Sequence, residues 1–346
     1  MKGIVMMVMG CNSGGVKGEG TGGGEGRGGS LSEVLMEVGR SAGDAFYSFL
    51  ELVSGSLGFS VTKETKKEDV GKYFNSLGEK IGVASEELDK VAVKVSADVD
   101  KEGVLNKGIR EAVDAAKITL KTLRGHLESL KGIGDGNKVV DVVDNQQGVA
   151  ANIAELKKAY KALKGIVGVA KGEGVKEAGA SDVTLGQASI GVDAKNGAKV
   201  LATGAAGAAV GEKAALIVSS VRGEEMLASI VKSTEEKAVA ISAAAGENTT
   251  PLEFAVGGTA EHVSNSDQVK AGAVAGGIAL RSLVKEGKLA THNDNNDHKA
   301  VQGVGITAVN KLLGAVEEIV KKTVKNVLEK VKAEVDKARD PKAAVK

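Results

Sequence analysis

Aromatic residues and cysteine are scarce in this chain of 346 residues. Tryptophan is absent, and the chain holds three tyrosines, five phenylalanines and a single cysteine. One cysteine excludes both an intrachain disulfide and a cysteine-based zinc site. Nucleic-acid-binding proteins need an excess of basic residues and aromatic groups for stacking, whereas this chain has a formal net charge of +1. We therefore expect no nucleic-acid partner.

Proline is equally rare, with Pro251 and Pro341 as the only two. Because proline breaks the interior of a helix, its absence elsewhere leaves room for long helices. The hydrophobic residues make up 42% of the chain and are nearly all aliphatic, intermixed with Lys and Glu. That mixture is typical of helices packed on helices, so we predict a mainly α protein.

The spacing of the apolar residues predicts where the helices lie. The clearest is Val301–Ala338, where an apolar stripe lies opposite a face of Lys and Glu over ~57 Å. A helix of that length needs long partners, which Leu31–Val53 and Lys66–Asp100 can supply. We predict an elongated helical bundle with long N- and C-terminal helices packed together and polar, glycine-rich distal loops. Further predicted helices are Asn106–Leu130, Ala150–Ala170, Ala198–Val221, Glu224–Ala245 and Val269–Leu289.

The first eleven residues have the layout of an export signal. Met1–Gly10 places a positive charge and an apolar run before a small residue, which predicts a signal peptide. Val8-Met9-Gly10-Cys11 is similar to a bacterial lipobox, in which the cysteine thiol is acylated and becomes the mature N-terminus. The run Ile4–Met9 is shorter than the roughly 7–15 residues of a signal core, so we interpret it as truncated or preceded by further sequence. The alternative is a short buried strand with Cys11 in the core.

A glycine-rich segment follows the cysteine. Residues 12–30 contain ten glycines in nineteen positions and cannot bury enough apolar surface to fold. As a flexible coil, the segment has an r.m.s. reach on the order of 24 Å. We therefore predict lipid attachment at Cys11 on a tether of residues 11–30, then a single helical surface domain of residues 31–340 and a tail of residues 341–346. No later apolar run, the longest being Val200–Gly211, approaches the ~20 residues that a membrane span needs.

No arrangement of residues in the sequence indicates catalysis, a metal or a cofactor. His292 and His298 flank a run of Asn and Asp, but they lack the i,i+4 spacing of helical metal ligands and the glycine of a calcium loop. We interpret Ala290–Lys299 as a solvated loop, too polar to be buried. The carboxylates are dispersed among lysines, where they form solvated pairs. The sequence therefore predicts a protein that is not an enzyme.

Six stretches, spread from Cys11 to the C-terminal helix, are long enough to identify a family. They are Cys11-Asn-Ser-Gly-Gly-Val16, Phe49-Leu-Glu-Leu-Val-Ser-Gly-Ser-Leu-Gly-Phe59, Val61-Thr-Lys-Glu-Thr-Lys-Lys-Glu-Asp-Val-Gly-Lys-Tyr-Phe74, Gly223-Glu-Glu-Met-Leu-Ala-Ser-Ile-Val231, Ala273-Val-Ala-Gly-Gly-Ile-Ala-Leu-Arg-Ser-Leu283 and Ala308-Val-Asn-Lys-Leu-Leu-Gly-Ala-Val316. Together they resemble the variable large proteins, a variable major protein family of Borrelia spirochaetes. The resemblance implies a lipoprotein of the cell outer membrane, exposed at the surface, expressed one variant at a time and lipidated on Cys11. It also implies a largely helical fold with both chain ends toward the membrane and variable loops distal.

Two functions fit this resemblance. The first is antigenic variation and evasion of the host antibody response, with host antibodies as partners of the polar loops. The second is an adhesin that binds host glycosaminoglycan or matrix protein through the basic residues from Lys321 onward. Both require contact with outer-membrane lipid through acylated Cys11, and both leave a homodimer open. The loops predicted to face antibody are Gly132–Gly148, Lys171–Gly197, Gly246–Ser266 and Ala290–Lys299.

Overall fold

The computed structural model describes residues 57–97, 104–294 and 296–339. Cys11, the tether, the predicted helix Leu31–Val53 and the tail lie outside them. Helices dominate the described residues, in which β-pairing is limited to isolated bridges between loops. The prediction of a mainly α, helical bundle is confirmed. The helices are α1 (Lys67–Ala97), α2 (Val104–Glu128), α3 (Ile153–Gly172), α4 (Gln187–Ile190), α5 (Gly211–Ser219), α6 (Gly223–Lys232), α7 (Pro251–Val256), α8 (Ala260–Val263), α9 (Ala271–Leu283) and α10 (Asp297–Arg339), with 3-10 turns at Lys195–Leu201 and Glu235–Lys237.

Helices α1, α2 and α3 and residues 318–339 of α10 form one part of the molecule, which we call the stem. In the stem α1 packs on α2, and α2 packs along α10. Side chains spaced by seven residues along α2, Val113, Leu120 and Leu127, are fully buried. Helix α10 has 43 residues and is therefore ~65 Å long. No helix within the described ranges is both long and apolar enough to cross a membrane.

The expected packing of residues 66–100 along the C-terminal helix is only partly correct. Helix α1 packs mainly on α2, and α2 is the more extensive stem partner of α10. Helix α1 approaches α2 closely at Gly82, where a Cβ would lie 2.5 Å from a guanidinium nitrogen of Arg124. It also reaches α10 through Tyr73, whose hydroxyl donates a hydrogen bond to Glu317.

Residues 130–152 and 185–296 surround the N-terminal half of α10 and form what we call the head. At the centre of the head, all 13 residues of α9 are buried. A helix that is apolar nearly all round belongs inside a fold. Gly277 permits the closest contact, because a Cβ there would lie 2.4 Å from the Cβ of Phe254 on α7. Helix α9 is therefore the core of the head.

The predicted helix Ala198–Val221 is wrong in its first half. Residues 202–210 are irregular, and α5 begins only after them. Gly204 and Gly207 have φ angles of 117° and 77°, which interrupt helical geometry. The backbone of Gly204 pairs with that of Gly148 instead, with N–O distances of 2.8 and 2.9 Å. Ala202, Ala206 and Val210 are therefore buried in a loop that is held by another loop.

The predicted helix Glu224–Ala245 is also too long. Helix α6 ends at Lys232, and the chain then pairs with a distant loop. The backbone N–H of Ile241 donates to the carbonyl oxygen of Gly257 over 2.8 Å. A tertiary contact thus replaces the helical hydrogen bonds that the local pattern predicts.

Residues 246–266, predicted as a polar loop, contain α7 and α8. Phe254 on α7 is fully buried, so this part of the range belongs to the core. The sequence did carry a signal for α7. Thr250 and Glu253 form a capping box, and Pro251 occupies the first turn, where its missing N–H costs nothing.

The segment Ala290–Lys299, predicted as fully solvated, contains three buried residues, Ala290, Thr291 and Asp297. Asp297, only 5% exposed, begins α10. One oxygen of its carboxylate accepts the backbone N–H groups of Val210 and Gly211, at 2.8 and 2.7 Å. The other oxygen accepts the backbone N–H of His292 at 2.8 Å. A buried carboxylate is tolerated here because three N–H donors replace its water.

Replacing Asp297 by Asn should destabilise the protein, because one oxygen becomes an amide that cannot accept a hydrogen bond. We expect Asp297→Asn to lower the free energy of unfolding by about 2 kcal/mol in urea denaturation. Asp294→Asn is the matched control, since Asp294 lies in the same segment with 60% of its side chain exposed. The control should change stability by less than about 0.5 kcal/mol. Equal losses in the two variants would contradict the role of Asp297.

Candidate functional site

The residues singled out in the sequence are not brought together into one chemical site. Cys11, the predicted lipid-attachment residue, lies outside the described residues. His292 contacts Asp294, with 2.9 Å between Nδ1 and Oδ2, and His298 contacts Asp144. Across residues 57–97, 104–294 and 296–339, no group of three or more His, Cys, Asp or Glu side chains is placed to hold a metal ion. The candidate functional surface is therefore the set of exposed loops of the head, together with the groups that hold them.

Exposed loop segments alternate with buried ones in the head. Residues 141–147, 203–209 and 239–244 are mostly exposed, whereas the residues beside them supply core side chains. The predicted antibody-facing range Gly132–Gly148 is therefore mixed, since its centre includes buried valines. The exposed segment 239–244 was missed, because its alternating apolar residues had been assigned to a helix.

Arg281 holds two segments of the head from inside, namely the end of α7 and the loop that begins at Ala202. It is the fully buried charged residue of α9. Its Nε donates to the carbonyl oxygen of Ala255 at 2.9 Å. Nη1 donates to the carbonyl oxygen of Ala202 and Nη2 to that of Phe254, both at 3.1 Å. Burial lowers the pKa of Arg281 to about 9, so the guanidinium remains charged at neutral pH. The cation thus fixes the loop backbone through carbonyl oxygens.

Gly257 makes this arrangement sterically feasible. Its φ is +82°, a conformation that a residue with a Cβ rarely adopts. A Cβ at this position would lie 1.9 Å from Nη2 of Arg281 and 2.3 Å from the carbonyl oxygen of Leu201. The glycine therefore serves both the turn after α7 and the close approach of the guanidinium.

Lys67 is a second buried cation, and it joins the stem to the head. It begins α1, and its ammonium group reaches the loop that follows α9. Nζ donates to the carbonyl oxygens of Gly287 and Val284 at 2.7 and 2.8 Å, and lies 3.5 Å from that of Arg281. Burial lowers the pKa of Lys67 to about 8, although the charge of Asp135 acts in the opposite direction. The first turn of α1 is thereby fixed to the end of α9.

Arg281, Lys67 and Asp297 were not predicted from the sequence as functional residues. A signal existed for Arg281, because it is the one charged residue in an otherwise apolar stretch, Ala271–Leu283. A lone charge on a helix that is apolar on every face must find internal partners. No comparable signal marks Lys67, since it lies among other Lys and Glu residues, where exposure is the usual expectation.

The described fold defines a helical protein whose head loops are held by buried charges. A model of the Borrelia lipoprotein family matches residues 42–335. Variable large protein 21 of Borrelia hermsii is 60% identical to this chain, in an alignment that spans 99% of this chain and 94% of that protein. Variable large protein 25 of the same organism is 58% identical over 98% of this chain and 94% of its own length. The solved structure of the Lyme disease variable surface antigen VlsE of Borrelia burgdorferi superposes with a TM-score of 0.66 at 26% identity, covering 88% of this chain and 98% of that one.

The chain therefore belongs to the Borrelia lipoprotein family, within its variable large protein group. The resemblance inferred from the six sequence stretches is confirmed. The family is one of lipoproteins and surface antigens rather than enzymes.

The buried ammonium of Lys67 predicts a specific pH dependence of stability. The pKa of Lys67 is about 8 in the fold, against about 10.4 for lysine in an unfolded chain. Between these values only the unfolded chain binds the proton, so the free energy of unfolding should rise with pH. Relative to Lys67→Met, the wild type should gain about 2 kcal/mol between pH 7.5 and pH 10 in urea denaturation. Parallel pH profiles for the two proteins would contradict the burial of a charged Lys67.

Proposed function

We propose that this chain is a surface-exposed lipoprotein of the cell outer membrane, anchored by acyl chains on Cys11, with residues 31–340 as one domain. The family identification confirms the predicted role in antigenic variation and evasion of the antibody response. The anchor and the contact of the head loops with host antibodies are the further parts of the proposal. The role needs an exposed surface that differs between variants, and no catalytic chemistry.

The observation that carries the proposal is the separation of scaffold from exposed loops in the head. Arg281 and Asp297 hold the loops through backbone carbonyl and N–H groups, not through the side chains of the exposed segments. Every residue type has a backbone carbonyl group, and every residue type except proline has a backbone N–H group. Exposed side chains between these bonded backbone groups, such as Ala205, Ala208 and Ala209, can therefore change at little cost in stability. A fold of this kind suits variation of surface residues on a constant core.

The position at which the chain enters the described fold supports an anchor at the stem end. The side chain of Asn310 on α10 pairs with both backbone groups of Val61, at 2.7 and 3.0 Å. Glu317, two turns further along α10, accepts the backbone N–H of Gly58 at 3.2 Å. The described chain therefore begins, at Leu57, near the middle of α10.

Helix lengths extend this argument to the tether. From Glu317 to Arg339, α10 continues for ~33 Å. The predicted helix Leu31–Val53 would be ~35 Å long. If it runs back along α10, residues 11–30 begin beside the C-terminal end of the stem. In our proposal the stem end is thus nearest the membrane, and the head is farthest from it.

The adhesin function has less support in the described residues. Of the lysines considered for polysaccharide binding, Lys322 lies 3.2 Å from Glu318 and Lys325 lies 3.7 Å from Glu329. Such pairs on an exposed helix face reduce the positive potential that an anionic polymer would meet. We therefore propose antigenic variation alone.

The anchor can be tested by removing the thiol in the native organism. Wild-type protein should partition into the detergent phase of Triton X-114 and bind antibody on intact cells. Cys11→Ala should move to the aqueous phase, because the protein without acyl groups has no membrane affinity of its own. Its antibody binding on intact cells should fall at least about tenfold. Ser13→Ala, two residues away, is the control and should behave as wild type. Retention of Cys11→Ala on the cell surface would refute the proposed anchor.

A further inference from the structure

The outer face of α2 in the stem is exposed and carries an isolated large apolar side chain. Ile118 is 69% exposed, and it lies beside a groove of about 780 Å³ between α1 and α2. Asp114 and Lys121, one turn to either side, also line this groove, together with Gly82 and Ser85 of α1. The groove is thus open to a side chain from another molecule.

Charges on this face are arranged symmetrically about its centre, with opposite sign on the two sides. Asp114 and Lys121 lie equally far from the midpoint between Lys117 and Ile118. Acidic and basic residues are exchanged between the two halves of the face in the same way at one further distance. The two matched pairs are Asp114 with Lys121 and Lys107 with Glu128.

The side chains of both matched pairs are exposed or half-buried, so they can reach a partner. Lys107 and Glu111 are 72% and 67% exposed, and Arg124 and Glu128 are 42% and 37% exposed. Each of these two couples forms an ion pair within α2, between residues four apart. Exposed pairs of this kind contribute only about 0.3–0.5 kcal/mol, so they can rearrange when a second molecule approaches.

We propose that α2 is a pairing surface for a second copy of this chain, with the two α2 helices antiparallel. In an antiparallel pair, residues equally far from the two-fold axis face each other. Every matched pair then becomes an attraction between opposite charges, and it occurs twice because the axis repeats it. Ile118 of each copy lies at the axis and enters the groove of the other. The charge pattern therefore complements itself.

A parallel arrangement does not have this property. It would place Asp114 against Asp114 and Lys121 against Lys121, so that like charges meet. An antiparallel pair of helix faces ~32 Å long, from Lys107 to Glu128, lies at the low end of specific interface sizes. The pairing is consequently weak for single molecules, and it becomes effective where many copies share a surface.

The antiparallel geometry determines which molecules can pair. Two stems that point in opposite directions carry their tethers at opposite ends. The pairing therefore joins molecules on two facing surfaces rather than neighbours on one surface. This consequence rests on the proposed position of the stem end near the membrane, whereas the contact between the two α2 helices does not.

A vesicle experiment can test the pairing without native lipidation. The full chain is coupled through its single cysteine, Cys11, to maleimide lipid in vesicles of two colours, and clustering is followed by fluorescence cross-correlation. The coupling imposes the anchor, so failure to cluster would refute the pairing and leave the natural lipidation untouched. Wild-type vesicles should cluster at 50 mM NaCl and disperse at 500 mM, because exposed charges are screened.

Two charge variants make the test specific. Both variants alter the matched pair Asp114 and Lys121. Lys121→Asp makes both positions acidic, and Asp114→Lys makes both positions basic. Each variant alone should cluster at least about tenfold less than wild type, since like charges now face each other. Mixing vesicles of the two variants should restore clustering, because both contacts become attractive again.

Two control variants make the same changes in charge on α10 instead of α2. Lys325→Asp and Glu329→Lys lie on an exposed face of α10 and should each cluster as wild type does. Three results would overturn the proposal. They are dispersed wild-type vesicles at low salt, undiminished clustering of either α2 variant alone, and an equal loss in the α10 controls.

Discussion

The head depends on the buried guanidinium of Arg281. A charge inside a protein is destabilising unless hydrogen bonds replace its hydration. Here the carbonyl oxygens of Ala202, Phe254 and Ala255 replace it, and these belong to two segments distant in sequence from α9. Removing the cation would leave the buried carbonyl oxygens of Ala202 and Phe254 without a donor, whereas that of Ala255 would keep the backbone N–H of Ala151. These segments and α9 therefore have to fold together, because neither can satisfy its buried polar groups without the other.

Lys67 and Asp297 extend this principle to the boundaries of the head. Lys67 fixes the start of α1 to carbonyl oxygens after α9, and Asp297 fixes the start of α5 through backbone N–H groups. In each case a charged side chain binds backbone, not another side chain. The exposed side chains of the head are thus largely independent of the bonds that hold its loops. That independence relates the fold to the variation expected of a surface antigen.

The long amphipathic elements could be predicted because their information is local. The apolar stripe of Val301–Ala338 corresponds to α10, and Lys66–Asp100 corresponds to α1, within a few residues at each end. The irregular segments 202–210 and 238–245 could not be predicted, because their backbone groups are satisfied by loops far away in sequence. An apolar pattern alone does not distinguish a buried helix from a buried loop. Of the candidate site, the sequence marks Cys11 and Arg281, whereas the exposed segment 239–244 is defined only by the tertiary fold.

Hydrogen exchange with mass spectrometry on the wild type and Arg281→Met tests the central claim most directly. Methionine keeps much of the side-chain volume but donates no hydrogen bond, so the buried carbonyl groups of Ala202 and Phe254 lose their donor. We predict that the free energy of opening falls by at least ~3 kcal/mol for residues 200–205 and 254–258, or more than a hundredfold in exchange rate. Unchanged protection of these segments in Arg281→Met would show that the head does not depend on the buried cation.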